Sequence, residues 1–402
     1  MAPELKIRLY NVGVGDCIYL RVPDGGDTRH ILIDCGSMNR YSEKAMQVIL
    51  NDLEGQLPRN AANQPVLDLL VVTHSHQDHM SALNTNLEWF EKLDSRRIWM
   101  SAAMQAKYEP AKKIHSLWEQ GRSLLQSLSG MSLGAENDDL VQYLSFALSN
   151  APALNALRGG LHTGQRLYLD TDTPAHDLSF FTQPDITFKV LNPAHNLDEV
   201  YLGKQQGKDS LGFAEMVAGL DPRKRLEKIS SEQMAQLPVS QGEFRRLVAR
   251  LPSKALGFLL DAAEDLENNT SLVLLLEWHG KRLLFAADAE CKSMGKKIYD
   301  PKENNFAWNF MWQAHKNGLL NQPLDFLKVG HHGSDNATPW REVTPAPAIN
   351  TILEHLVNPG ERLCKVGVST ERWSTYQRTI PYAPLMVELG SHQLDAASIF
   401  LK

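Results

Sequence analysis

Val71-Val72-Thr73-His74-Ser75-His76-Gln77-Asp78-His79-Met80 sets three histidines and an aspartate within six positions, directly after a short apolar run. Residues i and i+2 of an extended chain point the same way, so His74 and His76 can grip one ion together. Asp78 and His79 follow where the chain turns and can face a second position. Two-metal hydrolases hold their ions roughly 3.5–4 Å apart, within reach of one such loop. Imidazole and carboxylate donors suit zinc, and also manganese or iron. A lone histidine here would read as part of a polar surface loop; four donors at this spacing behind a buried strand read as a metal site.

Such a loop needs elements to aim it. Leu67-Asp68-Leu69-Leu70-Val71-Val72-Thr73 reads as a strand buried on both faces, with the histidines just past its carboxyl end. Upstream, Leu5, Ile7 and Leu9 alternate, a turn carries Gly13, Gly15 and Asp16, and a strand follows from Cys17 to Val22. Asp24-Gly25-Gly26-Asp27 signals a hairpin into the strand His30–Gly36. Ala45, Val48, Ile49 and Leu53 recur with helical spacing over 42–57. Further strands are expected at Arg97–Met100, Arg166–Leu169, Ile186–Leu191, Ser271–Trp278, Arg282–Asp288 and Phe326–Lys328, and a closing mixed segment carries strands around 363–369 and 384–401. The expected organisation is one domain over residues 1–402 with helical insertions near 100–160 and 197–268. No repeat with a period of 20–50 residues and no low-complexity tract is evident.

The totals narrow the classes. A chain of 402 residues with 43% hydrophobic and 22% charged residues can build a large core. Lys and Arg number 41 against 47 Asp and Glu, a net charge of −6, which argues against a globally basic nucleic-acid binder. Cys17, Cys35, Cys291 and Cys364 form no Cys-x-x-Cys pair and are expected as buried free thiols. The first residues lack a basic stretch leading into an apolar one, and no apolar run approaches the roughly 18–20 residues of a membrane helix, so a soluble, cytoplasmic protein without membrane partners is expected.

The His74-x-His76-x-Asp78-His79 pattern resembles the first motif of the metallo-β-lactamase superfamily. Asn11-Val12-Gly13-Val14-Gly15-Asp16 with Ile31-Leu32-Ile33-Asp34-Cys35-Gly36 is similar to the opening of its ComEC-like branch. Asn269 to Leu276 with Leu283 to Glu290 resembles that branch's paired strands ending in a metal-bridging aspartate. Leu327-Lys328-Val329-Gly330-His331-His332-Gly333-Ser334 resembles its last motif. The helical stretches are not covered. The resemblance implies a metallo-β-lactamase fold, a four-layer αββα sandwich with two divalent metal ions, zinc or manganese, at one edge of the sheets. It also implies ligands: His74 and His76 for the first ion, Asp78, His79 and His331 for the second, and Asp288 bridging. Asp288 ends an apolar strand, where a bare carboxylate is costly unless paired; capping the helix that follows is the other reading. Adjacent side chains on an extended chain point apart, so one of His331 and His332 ligates; the expectation is His331, with His332 either supporting a ligand from behind or facing the substrate, and with Asp78 and His332 as the catalytic pair. The superfamily's third histidine on the first ion finds its best match in His195, after Leu191-Asn192-Pro193-Ala194, with His162 and His176 as weaker matches and an ordinary polar loop as the alternative.

Around this set, Asp34 is expected either to hold a ligand histidine's second nitrogen or to cap its turn, and Asp16 likewise. Lys328 either contacts an anionic substrate or snorkels from a strand end. Ser334 and Thr338 either donate to a phosphate oxygen or cap local turns. Trp373, Tyr376 and Arg378 either clamp a nucleotide or form an aromatic cluster. Divalent ions bring a water toward ionisation near neutral pH, so hydrolysis is the expected reaction, and no Gly-x-Gly-x-x-Gly or P-loop motif competes. The ComEC-like resemblance implies a phosphodiester: a nuclease or nucleotide phosphodiesterase with a nucleotide or nucleic acid substrate. The acidic balance argues against long duplex DNA as substrate and does not disfavour a short or cyclic nucleotide. Hydrolysis of an ester, thioester or lactone on the same site, or a regulatory partner-binding scaffold, are the alternatives; the intact Asp78 and Asp288 count against the scaffold.

Overall fold

The computed structural model describes residues 4–38, 43–116, 118–119, 150–161, 163–202, 266–291, 306–338, 356–357, 364–370, 380–391 and 399–401. Most of both expected helical insertions, and the Trp373–Arg378 cluster, lie outside them. The fold is mixed α/β, built on two sheets. The first contains β1 (Lys6–Leu9), β2 (Cys17–Asp24), β3 (Asp27–Cys35), β4 (Val66–Leu67), β5 (Leu69–Val72), β6 (Asp94–Ser101) and β7 (Thr163–Leu169). Its order is β1-β2-β3-β5-β6, with β4 and β7 also pairing β6. β3, β5, β6 and β7 run parallel. Every residue of β5 is buried, as its unbroken apolar run requires between parallel neighbours. The second sheet contains β8 (Ile186–Asn192), β9 (Val273–Trp278), β10 (Lys281–Phe285), β11 (Phe326–Lys328), β12 (Lys365–Val368) and β13 (Ile399–Leu401), ordered β13-β12-β11-β10-β9-β8. β8 and β10 each pair antiparallel with β9, and β10, β11 and β12 are mutually parallel. The carboxyl ends of β8, β10, β11 and β12 therefore share one edge.

Alternation decides which face each strand turns to the core. One apolar cluster joins the two sheets: Ile18, Leu20, Ile31, Ile33, Val71 and Trp99 meet Phe188, Leu274, Leu276, Phe285 and Phe326. Trp99 lies edge-on to Phe188, with centroids 5.4 Å apart. The alternate residues of the first sheet, such as Leu32, Leu70 and Val72, pack with Leu50 and Leu53 of α1 (Glu43–Gln56), Met80 and Leu83 of α2 (Gln77–Thr85) and Phe90 of α3 (Leu87–Glu91). Leu275, Leu284 and Leu327 of the second sheet pack with Trp308 and Met311 of α4 (Ala307–His315) and Leu385 and Leu389 of α5 (Ala383–Ser391). α5 corrects the expectation of strand from 384 onward; among the described residues of 384–401, β13 is the extended part. Leu385 and Leu389 are four apart and buried while Val387 is 72% exposed, a helical rather than an alternating pattern. Among the described residues, no helix is long and apolar enough to cross a membrane, and the four cysteines are free and buried.

Candidate metal centre

Three segments meet where the carboxyl ends of the two sheets face each other. Past β5 the chain runs through Thr73–His76 into α2, whose first turn carries Asp78 and His79. Past β10 comes Asp288, and past β11 a tight turn over His331–Gly333. Asp78, His79, Asp288 and His332 each offer one ligand atom, and these atoms lie within 4.8 Å of one another. His332 Nε2 is 2.8 Å from Asp78 Oδ2 and 3.5 Å from Asp288 Oδ2. His79 Nε2 is 3.1 Å from Asp288 Oδ1.

The surroundings fix which nitrogen of each ring faces inward. His79 Nδ1 donates to Asp34 Oδ2 at 2.8 Å. Asp34 is itself held by the Thr73 N–H at 2.8 Å and the Thr73 hydroxyl at 2.7 Å. His332 Nδ1 donates to the Ser369 carbonyl at 3.0 Å. Both rings thus turn Nε2 toward the two carboxylates. A carboxylate or carbonyl on the far nitrogen is the arrangement that orients metal-bound histidines. The backbone is bent to reach this geometry: Asp34, Ala287, His331 and His332 all have positive φ, between 39° and 55°, which costs roughly 1–3 kcal/mol for each non-glycine residue.

Charge is concentrated here. Burial would lift the Asp78 and Asp288 carboxyls, but His79 and His332 hold both well below the ordinary carboxylate range. Burial would lower the two imidazoles; Asp288 and Asp78 override it, raising His79 well above its usual value and His332 to about 9. His74 goes the other way: burial first, then His79 and His76 beside it, hold it well below the imidazole range, so its ring is neutral. The buried Nε2 of His74 meets no hydrogen-bond partner. Two buried carboxylates, inward-turned imidazole nitrogens and the unpartnered Nε2 of His74 fit a divalent cation.

The other expected residues divide. His74 Nε2 lies 4.0 Å from Asp288 Oδ2, and its ring packs at a tilt of 51° against His79, with centroids 4.1 Å apart. His76 turns its Nε2 to Glu267 Oε2 at 3.1 Å. The imidazole that reaches Asp78 and Asp288 is His332, not His331. His331 turns its Nδ1 to Glu290 Oε1 at 3.0 Å, and its backbone N–H approaches Asp288 Oδ1 at 3.1 Å. The left-handed backbone at both residues replaces the extended geometry on which the opposite assignment rested. Asp34 sits against a histidine's second nitrogen. Lys328 is fully buried between the sheets, with Nζ on Asp16 Oδ2 at 2.9 Å. Ser334 is also buried, its hydroxyl donating to Asn336 Oδ1 at 2.7 Å, and Thr338 bonds its neighbour's carbonyl. His195 joins neither of the two donor groups found among the described residues, Asp78–His79–Asp288–His332 and Asp16–Asp34–His79. Its Nδ1 donates to Asp170 Oδ2 at 2.9 Å, which also accepts from Tyr108 at 2.6 Å, and its side chain is 42% exposed. His176 is exposed beside Asp177, and His162 lies outside the described residues.

Glu267 and Glu290 were not anticipated. Glu290 is 1% exposed and accepts from Asn268 at 2.8 Å and Asn269 at 3.1 Å. Glu267 accepts from Ser75 at 3.0 Å inside the histidine loop. The polar run Glu267-Asn268-Asn269-Thr270-Ser271 immediately before the apolar β9 was the available signal, because so many polar groups at the mouth of a buried strand need partners. A comparison with curated proteins finds no match to the chain. Residues 10–91, which carry Asp16, Asp34 and the His74–His79 loop, match the family model of the metallo-beta-lactamase superfamily.

Proposed function

We propose that the chain is a metal-dependent hydrolase of phosphodiester bonds, a nuclease or nucleotide phosphodiesterase of the ComEC-like branch. The observation that carries this reading is the meeting of Asp78, His79, Asp288 and His332 from three distant segments at one buried point. These four would hold one of two divalent ions, zinc or manganese. His74 and His76 would hold the second, and His195 would join them, its Nδ1 proton already fixed by Asp170. Divalent cations at such a position make water nucleophilic near neutral pH and offset the negative charge that builds on an attacked phosphoryl centre. The chain's own part is positional. Asp34 and the Ser369 carbonyl keep two imidazoles aimed inward, and the left-handed turn at His331–His332 lets the second of them reach Asp78.

Two further supports are architectural. Three of the apolar clusters, one between sheets and one on the outer side of each, favour a four-layer αββα arrangement. Four free thiols, with the Cys17 thiol donating to Cys35 Sγ at 3.5 Å rather than joined to it as a disulfide, favour a cytoplasmic setting. The acidic balance keeps a short or cyclic nucleotide ahead of long duplex DNA as substrate. The test is cleavage of bis-p-nitrophenyl phosphate, followed by single-stranded DNA, RNA, cyclic dinucleotides and a lactone panel. Asp78→Ala and Asp288→Ala are expected to abolish turnover with the circular dichroism spectrum kept. Turnover that survives both changes overturns the mechanism; lactone cleavage without phosphodiester cleavage overturns the substrate class.

A further inference from the structure

Behind His79 lies a charged pair that the ligand set does not use. Lys328 Nζ donates to Asp16 Oδ2 at 2.9 Å and to the Val329 carbonyl at 2.9 Å. Lys328 is 0% exposed and Asp16 is 1% exposed. Asp16 lies in the turn before β2, in the first sheet's half of the molecule; Lys328 is the last residue of β11, in the second sheet. Each partner is tied to one half of the metal centre. The Asp16 N–H donates to the Asp78 carbonyl at 2.9 Å, and the Asp16 carbonyl accepts from the Gly36 N–H at 2.9 Å. Lys328 is followed directly by Val329, whose N–H donates to the Gly367 carbonyl at 2.9 Å, and then by Gly330 and the His331–His332 turn. The pair also balances charge: Asp16 Oδ2 stands 4.0 Å from His79 Nδ1 and Asp34 Oδ2 stands 2.8 Å from it, so two carboxylates back one imidazole and Lys328 answers one of them.

A buried ion pair is a poor source of stability, since desolvation offsets much of the attraction and apolar residues of equal volume often serve as well. Its value here lies in placement. We propose that Asp16 and Lys328 are positioning residues that set the separation between the Asp78–His79 segment and the His332 segment, and with it the affinity of the centre for a divalent cation. This rests on the reading of that centre as a metal site.

The experiment titrates chelator-stripped protein with zinc and with manganese by calorimetry, and in parallel melts the stripped protein. The variants are Asp16→Asn, Lys328→Met and the double substitution. Each single change leaves one buried charge unpaired, so it is expected to lower the melting temperature and to weaken metal binding at least tenfold. The double change removes both charges: the melting temperature is expected to recover most of its loss while binding stays at least tenfold weak. Affinity that recovers together with the melting temperature would make the pair merely structural and overturn the proposal, as would single variants that bind like the parent. A parent chain that binds neither metal would instead overturn the reading of the centre itself.

Discussion

His331 and His332 are neighbours in the chain and opposite in role. One imidazole points to Glu290 and the other to Asp78 and Asp288. His332→Ala is therefore expected to lose at least one equivalent of tightly held metal, while His331→Ala retains it. Atomic emission on gel-filtered protein counts the ions, and the reverse pattern would return His331 to the ligand set. The sequence could establish that two adjacent side chains do not both reach one ion. It could not say which, because the answer depends on a left-handed turn and on a glutamate packed beside it. Asp34 was more legible: it ends a strand parallel to the one carrying the histidines, so the turn after β5 lies beside it.

At the scale of the element, the start of α2 is what presents Asp78 and His79, and two glycines permit it. A Cβ on Gly36 would stand 2.5 Å from the Asp78 carbonyl carbon and from the Gln77 oxygen; one on Gly15, whose φ is +150°, would stand 2.8 Å from the Asp78 oxygen. The backbones of the β1–β2 turn, the end of β3 and the first turn of α2 are in contact there, with no room for a side chain. Gly36→Ala is expected to cost about 1–3 kcal/mol by overpacking, seen as a lower melting temperature, and to reduce bound metal because Asp78 moves with its backbone. A variant that melts and binds metal as the parent does would show that α2 can shift without disturbing the centre. The sequence displayed both glycines and both turns; their mutual contact came only with the register of β2 on β3 and of β3 on β5.

For the whole molecule, the centre is a junction between two halves that are also joined by apolar packing and by hydrogen bonds such as Leu272 N–H to the Thr73 carbonyl. Four buried carboxylates, Asp16, Asp34, Asp78 and Asp288, gather within contact of His79. A cation bound to the folded state and not to the unfolded chain raises stability by mass action, about 2.7 kcal/mol when free metal is 100 times its dissociation constant. Chelation is expected to lower the melting temperature by several degrees, and stepwise return of zinc or manganese to restore it in a concentration-dependent way. A melting curve indifferent to chelator and metal would sink the idea that the junction is cation-linked.

The sequence by itself determined the chemistry available and much of the scaffold. Donor types are written in the residues, and hydrophobic period is a local property, so the His74–His79 loop, Asp288, the two-sided burial of β5 and the helix α1 could all be read directly. Tertiary structure alone decided which donors converge. His332 rather than His331 faces the carboxylates, Lys328 lies inside rather than at the substrate face, His195 stands on Asp170 apart from the convergence, and Glu267 arrives from 192 positions away. The reason is geometric: strand register and turn handedness fix where a side chain ends, to within the few ångströms that coordination requires. Those quantities are set by packing between segments far apart in the chain, and spacing along the chain does not carry them.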